Sequence, residues 1–252
     1  LFALAKPHLA VLTALGEEHL EAFGTLEKAV QEEAHLLRAP TALVGEQAAP
    51  LVLGLREDLL VYGFAEGTFR GRDLELGLRE SRFRYGGLHV RVPYPGLGRA
   101  YGALAALAAA EVLGLSLEEV AERLSRLTLP PGRMETREVG GVVFVNDAYN
   151  ANPTSMAAAL EALAALDAER RTAVVGPMAE LGPHTEAEHR RMAELAHRLG
   201  IRLLAVDTDR YGAHAEAVDG MEGAIAALGT LGPDDAVLVK ASRVAGLERL
   251  AH

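Results

Sequence analysis

The chain has 252 residues, a formal net charge of −10 and no cysteine; 50% of it is hydrophobic and 24% charged, an ordinary globular balance. Disulfides, iron–sulfur clusters and thiolate zinc sites are therefore excluded. The acidic balance argues against nucleic acid as a partner, because phosphate neutralisation needs a clustered basic face, whereas a phosphorylated small molecule needs only a few local Arg and Lys residues. His8 to Ala14 reads as a short buried strand closed by a turn at Gly16, and Thr25 opens a helix running to about Leu37. Strand signals follow at Thr41–Val44, Leu59–Phe64 and Leu74–Leu78. Arg82–Tyr85 and Leu88–Val92 flank Gly86-Gly87, the sharpest hairpin signal in the chain. A helix rich in Ala and Leu is predicted from about Tyr101 to Leu113, and Ser116 with Glu119 forms a capping box for the next, ending near Leu127.

Pro130-Pro131-Gly132 then marks a stiff connector, which divides the chain into residues 1–130 and 131–252. Two short strands around Gly140-Gly141 come next. Helices from Thr154, Thr185, near Met221 and from Val244 alternate with strands at Thr172–Val175, Arg202–Val206 and Ala236–Val239, and Thr185 with Glu188 reads as a second capping box. Such alternation predicts an α/β fold: right-handed βαβ units building a mostly parallel sheet covered on both faces. No apolar run reaches the roughly 18–20 residues that span a bilayer, so no membrane insertion is expected and a cytoplasmic setting fits. The apolar opening, Leu1 to Leu4, has no basic region before it and is not a signal peptide. With no initiator Met, it reads as starting inside an element of a longer chain.

The polar composition singles out one segment. There are 22 Arg against only Lys6, Lys28 and Lys240, and the only asparagines are Asn146, Asn150 and Asn152. Depletion of Asn, Gln and Cys accompanies heat adaptation, and GC-rich coding gives a similar bias. Three asparagines within seven residues can simply build a turn; since Asp, Gly or Ser serve turns elsewhere in this chain, a chemical use of the amides is the sharper reading. The segment follows the strand Val142–Val145 and precedes a helix, so it lies at a carboxyl edge, where α/β sheets bind ligands. There an Asp can accept from a ribose hydroxyl, and amides can donate to phosphoryl or carboxylate oxygens. Arg133, just past the connector, is either an ordinary surface or interdomain ion-pair residue or a guanidinium suited to a transferring phosphoryl group. His184, His189 and His197 with Glu180, Glu186 and Glu188 lack tight metal-ligand spacing and read as a solvated face. No serine stands in a nucleophile elbow.

Pro131-Gly132-Arg133-Met134-Glu135, a short hairpin and then Asn146-Asp147-Ala148-Tyr149-Asn150-Ala151-Asn152-Pro153 resemble the Mur ligase family, in the branch that adds D-alanyl-D-alanine. Thr13 to Thr25, Gly176 to Gly182 and Val239 to Arg243 resemble further segments of the same family. The resemblance implies part of a P-loop-type central ATPase domain over 1–130 and a Rossmann-like C-terminal domain over 131–252. It implies ATP and magnesium (Mg2+) as cofactors, UDP-N-acetylmuramoyl-tripeptide and D-Ala-D-Ala as substrates, and a monomer. On the same resemblance Arg133 would face the γ-phosphate and Lys240 would serve catalysis, beside its reading as a structural ion pair at a strand end. Asp147 would hold the ribose, with Tyr149, Asn150 and Asn152 on the cofactor side and Ser242 and Arg243 towards the substrate. His19 would ligate magnesium, or else is a histidine satisfied at a turn.

The chain also departs from the family pattern. No Gly-Lys-Thr phosphate loop and no UDP-sugar domain occur here, so residue 1 is expected to fall midway through the central domain of a longer parent. Ala14 and Gly102 stand where the family has Asn, and Gly96 to Gly102 reads as a glycine-rich helix entry. Glu33 aligns with the family's carbamylated Lys. It is either a second magnesium ligand or a solvated acid beside Glu27 and Glu32. Another Mur or folylpolyglutamate-type amide ligase, and a non-catalytic fragment binding a nucleotide, peptide or protein partner, remain as alternatives.

Overall fold

The computed structural model describes residues 2–15, 25–77, 80–130, 132–242 and 245–247, and their contacts separate into two compact units, one ending at Thr128 and the other running from Leu129. The first unit opens with a short helix, α1 (Phe2–Ala5). Its parallel sheet is built from β1 (Leu9–Leu12), β2 (Thr41–Gly45), β3 (Leu60–Gly63) and β4 (Phe69–Arg70), in that order. An antiparallel sheet of β5 (Arg72–Leu76), β6 (Ser81–Tyr85) and β7 (Leu88–Val92) follows. Gly86 and Gly87, at φ 55° and 83°, form its tight turn, a conformation only glycine adopts without cost.

Among the described residues the further α-helices of this unit are α2 (Leu26–Glu33), α3 (Ala49–Val52), α4 (Leu97–Val112) and α5 (Leu117–Ser125). Alternation along β6 sends Phe83 and Tyr85 inward, where they meet Val90, Val92, Leu43, Tyr62 and the Ala/Leu face of α4, Ala103, Leu104, Leu107 and Ala108. The other face of the parallel sheet packs Leu12, Ala42 and Val44 against Val30, Leu37, Ala49 and Val52. Thr25 caps α2 through Lys28 N, and Ser116 caps α5 through Glu119 N. Two expectations shift. α4 begins a turn early, at Leu97, because Gly96 at φ 101° turns the chain directly into it, and the strand expected at Leu74–Leu78 is β5, Arg72–Leu76.

The second unit begins with an antiparallel pair, β8 (Glu135–Val139) and β9 (Val142–Asn146), followed by α6 (Pro153–Ala164), β10 (Arg170–Val175), α7 (Thr185–Arg198) and β11 (Arg202–Val206). Then come β12 (Glu216–Val218), α8 (Gly220–Leu228) and β13 (Asp235–Lys240). The sheet order is β12-β11-β10-β13-β9-β8, parallel throughout except at β8. Period-two alternation covers both faces. Ala173, Val175, Leu203, Ala205 and Leu238 pack against α6 and α7, while Val174, Leu204, Val206, Val237 and Val239 pack on the side of Ala224 in α8.

The capping box expected at Thr185 is not formed. His184 precedes the helix without a side-chain cap, the Thr185 hydroxyl donates to the Gly182 carbonyl, and Glu188 pairs with Arg191. The capping box lies instead at the start of α6. The short elements α3, β4 and β12 had no sequence signal, and the helix expected from Val244 falls outside the described residues. Among those residues no helix is long and apolar enough to cross a membrane.

One carboxylate ties the first unit together. Glu46, just past β2, accepts from the backbone N–H groups of Phe64 (3.1 Å), Ala65 (3.0 Å) and Glu66 (2.6 Å), and from the Tyr101 hydroxyl of α4. Burial alone would raise its pKa. The hydrogen bonds from Tyr101 and the three amides outweigh that and hold it below the ordinary carboxylate range, while burial and Glu46 push Tyr101 up to about 12. Because its folded pKa is depressed, Glu46 stabilises the fold fully above the unfolded value of about 4.3 and loses that effect as pH falls through the lower folded value. Glu46→Ala is expected to cost about 2 kcal/mol at neutral pH, the order expected for lost hydrogen bonds to a charged group. In Glu46→Gln the acid-side fall in thermal midpoint should be shallower than in the wild type, checked by circular-dichroism melts between pH 3 and 7.

Candidate functional site at the carboxyl edge of the second sheet

The loops leaving β9, β13 and β10 meet at one edge of the second sheet. β9 ends at Asn146, a buried residue whose Oδ1 accepts from Ala148 N at 3.2 Å and so turns the chain. Asp147 N donates to Val239 O (2.8 Å), which extends the pairing with β13 by one residue. The Asp147 carboxylate points two ways: Oδ1 accepts from Met134 N (3.0 Å), and Oδ2 accepts from Lys240 Nζ (2.5 Å). Lys240, the last residue of β13, is 1% exposed and donates also to the Asn150 carbonyl (3.0 Å). An ammonium at that depth requires an acid partner and hydrogen bonds. Lys240 therefore fixes both ends of the 147–150 stretch, through a side chain at one end and a carbonyl at the other.

The rest of the loop is pinned by small and capping residues. Ala148 and Ala151 are buried, and Tyr149 and Asn150 between them are exposed. Asn152 caps α6: its Oδ1 accepts from Ser155 N (2.7 Å), Ser155 Oγ accepts from Asn152 N (3.1 Å), and Pro153 occupies the first helical position. Two of the three asparagines thus serve the backbone. The side-chain amide of Asn150 makes no hydrogen bond among the described residues and faces solvent.

Across from this loop runs Gly132-Arg133-Met134. Gly132 has φ 72°, and a Cβ there would stand 3.4 Å from Tyr149 N, the amide that donates to Gly132 O at 3.0 Å. Met134 is also left-handed, at φ 54°, which costs a non-glycine residue of order 1 kcal/mol. That conformation aims its N–H at Asp147. Between these two bends Arg133 lies with its guanidinium carbon 3.9 Å from the centroid of the Tyr149 ring. Its Nε is buried without a hydrogen-bond partner, and it forms no ion pair among the described residues.

Beyond β13, Ser242 is buried. Its Oγ accepts from Ala179 N (2.8 Å) and its N–H donates to Pro177 O (3.2 Å), so it ties the loop after β10 to the end of β13. His189 supports the same loop from beneath: Nε2 accepts from Met178 N (2.9 Å) and Nδ1 meets Thr185 O at 2.6 Å. Those partners define a neutral imidazole with its proton on Nδ1, and burial pushes its pKa down. This corrects the reading of His189 as part of a solvated face. It is fully buried on the inner side of α7, whereas His184 and His197 are not among the buried residues.

His19 and Arg243 lie outside the described residues. Glu33 is exposed at the last position of α2, and among the described residues no group of three or more His, Cys, Asp or Glu is placed to hold a metal ion.

Two family models cover most of the chain: the Mur ligase middle domain over residues 1–110 and the Mur ligase, glutamate ligase domain over residues 132–243. The chain belongs to the Mur ligase family. The UDP-N-acetylmuramoyl-tripeptide–D-alanyl-D-alanine ligase of Treponema pallidum is 33% identical over 264 residues, which cover 97% of this chain and 57% of that protein. MurF from Acinetobacter baumannii superposes with a TM-score of 0.85 at 26% identity, covering 97% of this chain and 59% of that one. MurF ligase from Thermotoga maritima, solved in complex with ADP, superposes with a TM-score of 0.83 at 24% identity, covering 99% and 62%, and shows the likeness of fold. The chain therefore spans a little under three-fifths of the length of the curated Mur ligase it matches.

The buried pair makes a direct prediction. Asp147→Ala leaves the Lys240 ammonium uncompensated and should destabilise this unit by about 3 kcal/mol or more. The double variant Asp147→Ala/Lys240→Met should lose less than Asp147→Ala alone, as urea unfolding of the four-member cycle would show.

Proposed function

We propose that this chain forms part of an ATP-dependent ligase that joins D-alanyl-D-alanine to UDP-N-acetylmuramoyl-tripeptide, with residues 1–130 as a portion of the central ATPase domain and 131–252 as the C-terminal domain. The observation that carries this reading is the 33% identity to a ligase of that name across 97% of the chain, with the 146–153 loop lying on a carboxyl edge. In the first step the tripeptide carboxylate takes the γ-phosphoryl group of ATP, giving an acyl phosphate and ADP. In the second the amine of D-Ala-D-Ala attacks the acyl carbon, phosphate leaves, and the ammonium proton is lost to solvent. Such chemistry rests on positioning and charge neutralisation more than on a general base.

In this proposal Arg133 neutralises the phosphoryl group, a role suited to a planar guanidinium that no carboxylate among the described residues already holds. Asp147 accepts from the ribose: each of its oxygens has one partner, and a carboxylate offers about four acceptor positions. Asn150 presents the exposed amide, while Lys240 and Ser242 shape the edge from below. Magnesium is typically held by one or two carboxylates together with substrate phosphates; the exposed Glu33 has the chemistry for one such ligand, and His19 is a further ligand in this reading. The setting is cytoplasmic, where ATP is supplied, and the enzyme acts as a monomer.

The test uses the protein carrying this chain with ATP, magnesium, UDP-N-acetylmuramoyl-tripeptide and D-Ala-D-Ala. Phosphate release and the ligated product, followed by mass spectrometry, are expected only when all are present. Release that ignores D-Ala-D-Ala, or no ligated product, contradicts the reading. Arg133→Met should lower kcat by about a hundredfold, the order seen when one preorganised charge-stabilising donor is removed.

A further inference from the structure

We infer that Tyr149 is the positioning residue for Arg133, its ring serving as the platform that holds the guanidinium ready for an oligophosphate. This deepens the function proposed above and rests on it for the identity of the phosphoryl donor. Three contacts in one short stretch carry the inference. Tyr149 N donates to Gly132 O at 3.0 Å, Met134 N donates to Asp147 Oδ1 at 3.0 Å, and between these two bridges the Arg133 guanidinium carbon lies 3.9 Å from the Tyr149 centroid. The backbone bridges fix the register of the two segments, so the residue after Ala148 is the one that must meet Arg133.

The surroundings separate this contact from ordinary packing. A packed core ring is buried, whereas the Tyr149 side chain stands at the exposed tip of its loop with 41% of its surface accessible. Arg133 has a buried Nε with no hydrogen-bond partner and forms no ion pair among the described residues. No carboxylate therefore sets its direction, and the aromatic face does. An aromatic face attracts a guanidinium without occupying its N–H donors, so the remaining donors keep their capacity for phosphate oxygens in a fork that is already oriented.

The test is a double-mutant cycle on the full chain with inorganic tripolyphosphate as the probe, read by titration calorimetry, and the same cycle in the ligation assay. Tyr149→Leu keeps bulk without a π face and is expected to weaken tripolyphosphate binding by about fivefold, the scale of an exposed cation–π contact. Tyr149→Phe, which keeps the ring, should recover most of that loss. In an Arg133→Met background Tyr149→Leu should have no further effect. In the ligation assay the loss should appear in kcat/KM for ATP, with KM for D-Ala-D-Ala moving less than twofold. The inference is overturned if Tyr149→Leu binds like the wild type, if its effect persists undiminished without Arg133, or if the wild type shows no Arg133-dependent binding. Failure of the ligase reading gives a different pattern, an intact binding cycle with no ligated product.

Discussion

A lysine buried at the end of a central strand is the constraint on which the candidate site depends. Lys240 has 1% of its surface exposed and stands on β13, between β10 and β9 in the sheet. Removing an ammonium from water costs several kcal/mol even after relaxation, so the surrounding chain must supply a carboxylate and further acceptors. Asp147 and the Asn150 carbonyl supply them. Once Asp147 is committed to Lys240, its other oxygen captures Met134 N, and Met134 is held in a backbone conformation it would not choose alone. The strain at Met134 and the left-handed Gly132 in turn direct Arg133 across the loop. A buried charge thus becomes, through three segments separated along the sequence, the geometry of an arginine near the surface.

The first unit solves a comparable problem with the opposite charge. The loop after β3 presents three successive N–H groups, an arrangement that attracts anions, and Glu46 fills it from the end of β2. Tyr101 joins the same carboxylate, so α4 is tied to the parallel sheet by a polar contact as well as by its alanine-rich face. In both units an ionised side chain, held by backbone groups, connects the ends of two strands that neighbour each other in the sheet.

Periodicity and capping chemistry made the fold largely legible. The alternation after Gly132, the Gly86-Gly87 hairpin and the caps at Thr25 and Ser116 act over a few residues, and each has a local physical cause. The 146–153 loop was legible as a location, because a buried strand followed by Asn and Pro signals a turn into a helix. Its chemistry was legible only in part. The rarity of asparagine suggested a chemical use of the amides, and the structure adds that Asn146 Oδ1 closes a turn and Asn152 Oδ1 caps a helix. Asn152 followed by Pro153 and Ser155 was itself a readable cap signal. Thr185 and His189 mislead for a different reason. Thr185 turns its hydroxyl back to Gly182, and His189 lies inside its helix and supports a loop eleven residues away. Contacts such as Lys240 with Asp147, 93 residues apart, and Tyr101 with Glu46, 55 apart, leave no periodic trace in one sequence. They exist only once the strands have paired.

The central claim is that the Lys240–Asp147 pair sets the backbone around Arg133, and native-state hydrogen exchange tests it most directly. The Met134 and Tyr149 amides, bonded to Asp147 Oδ1 and Gly132 O, should exchange slowly in the wild type. In Lys240→Met both should lose protection together, while Ala173 and Val174 inside β10 keep theirs. Undiminished protection of Met134 and Tyr149 in that variant would contradict the account, because the loop would then hold its shape without the buried charge.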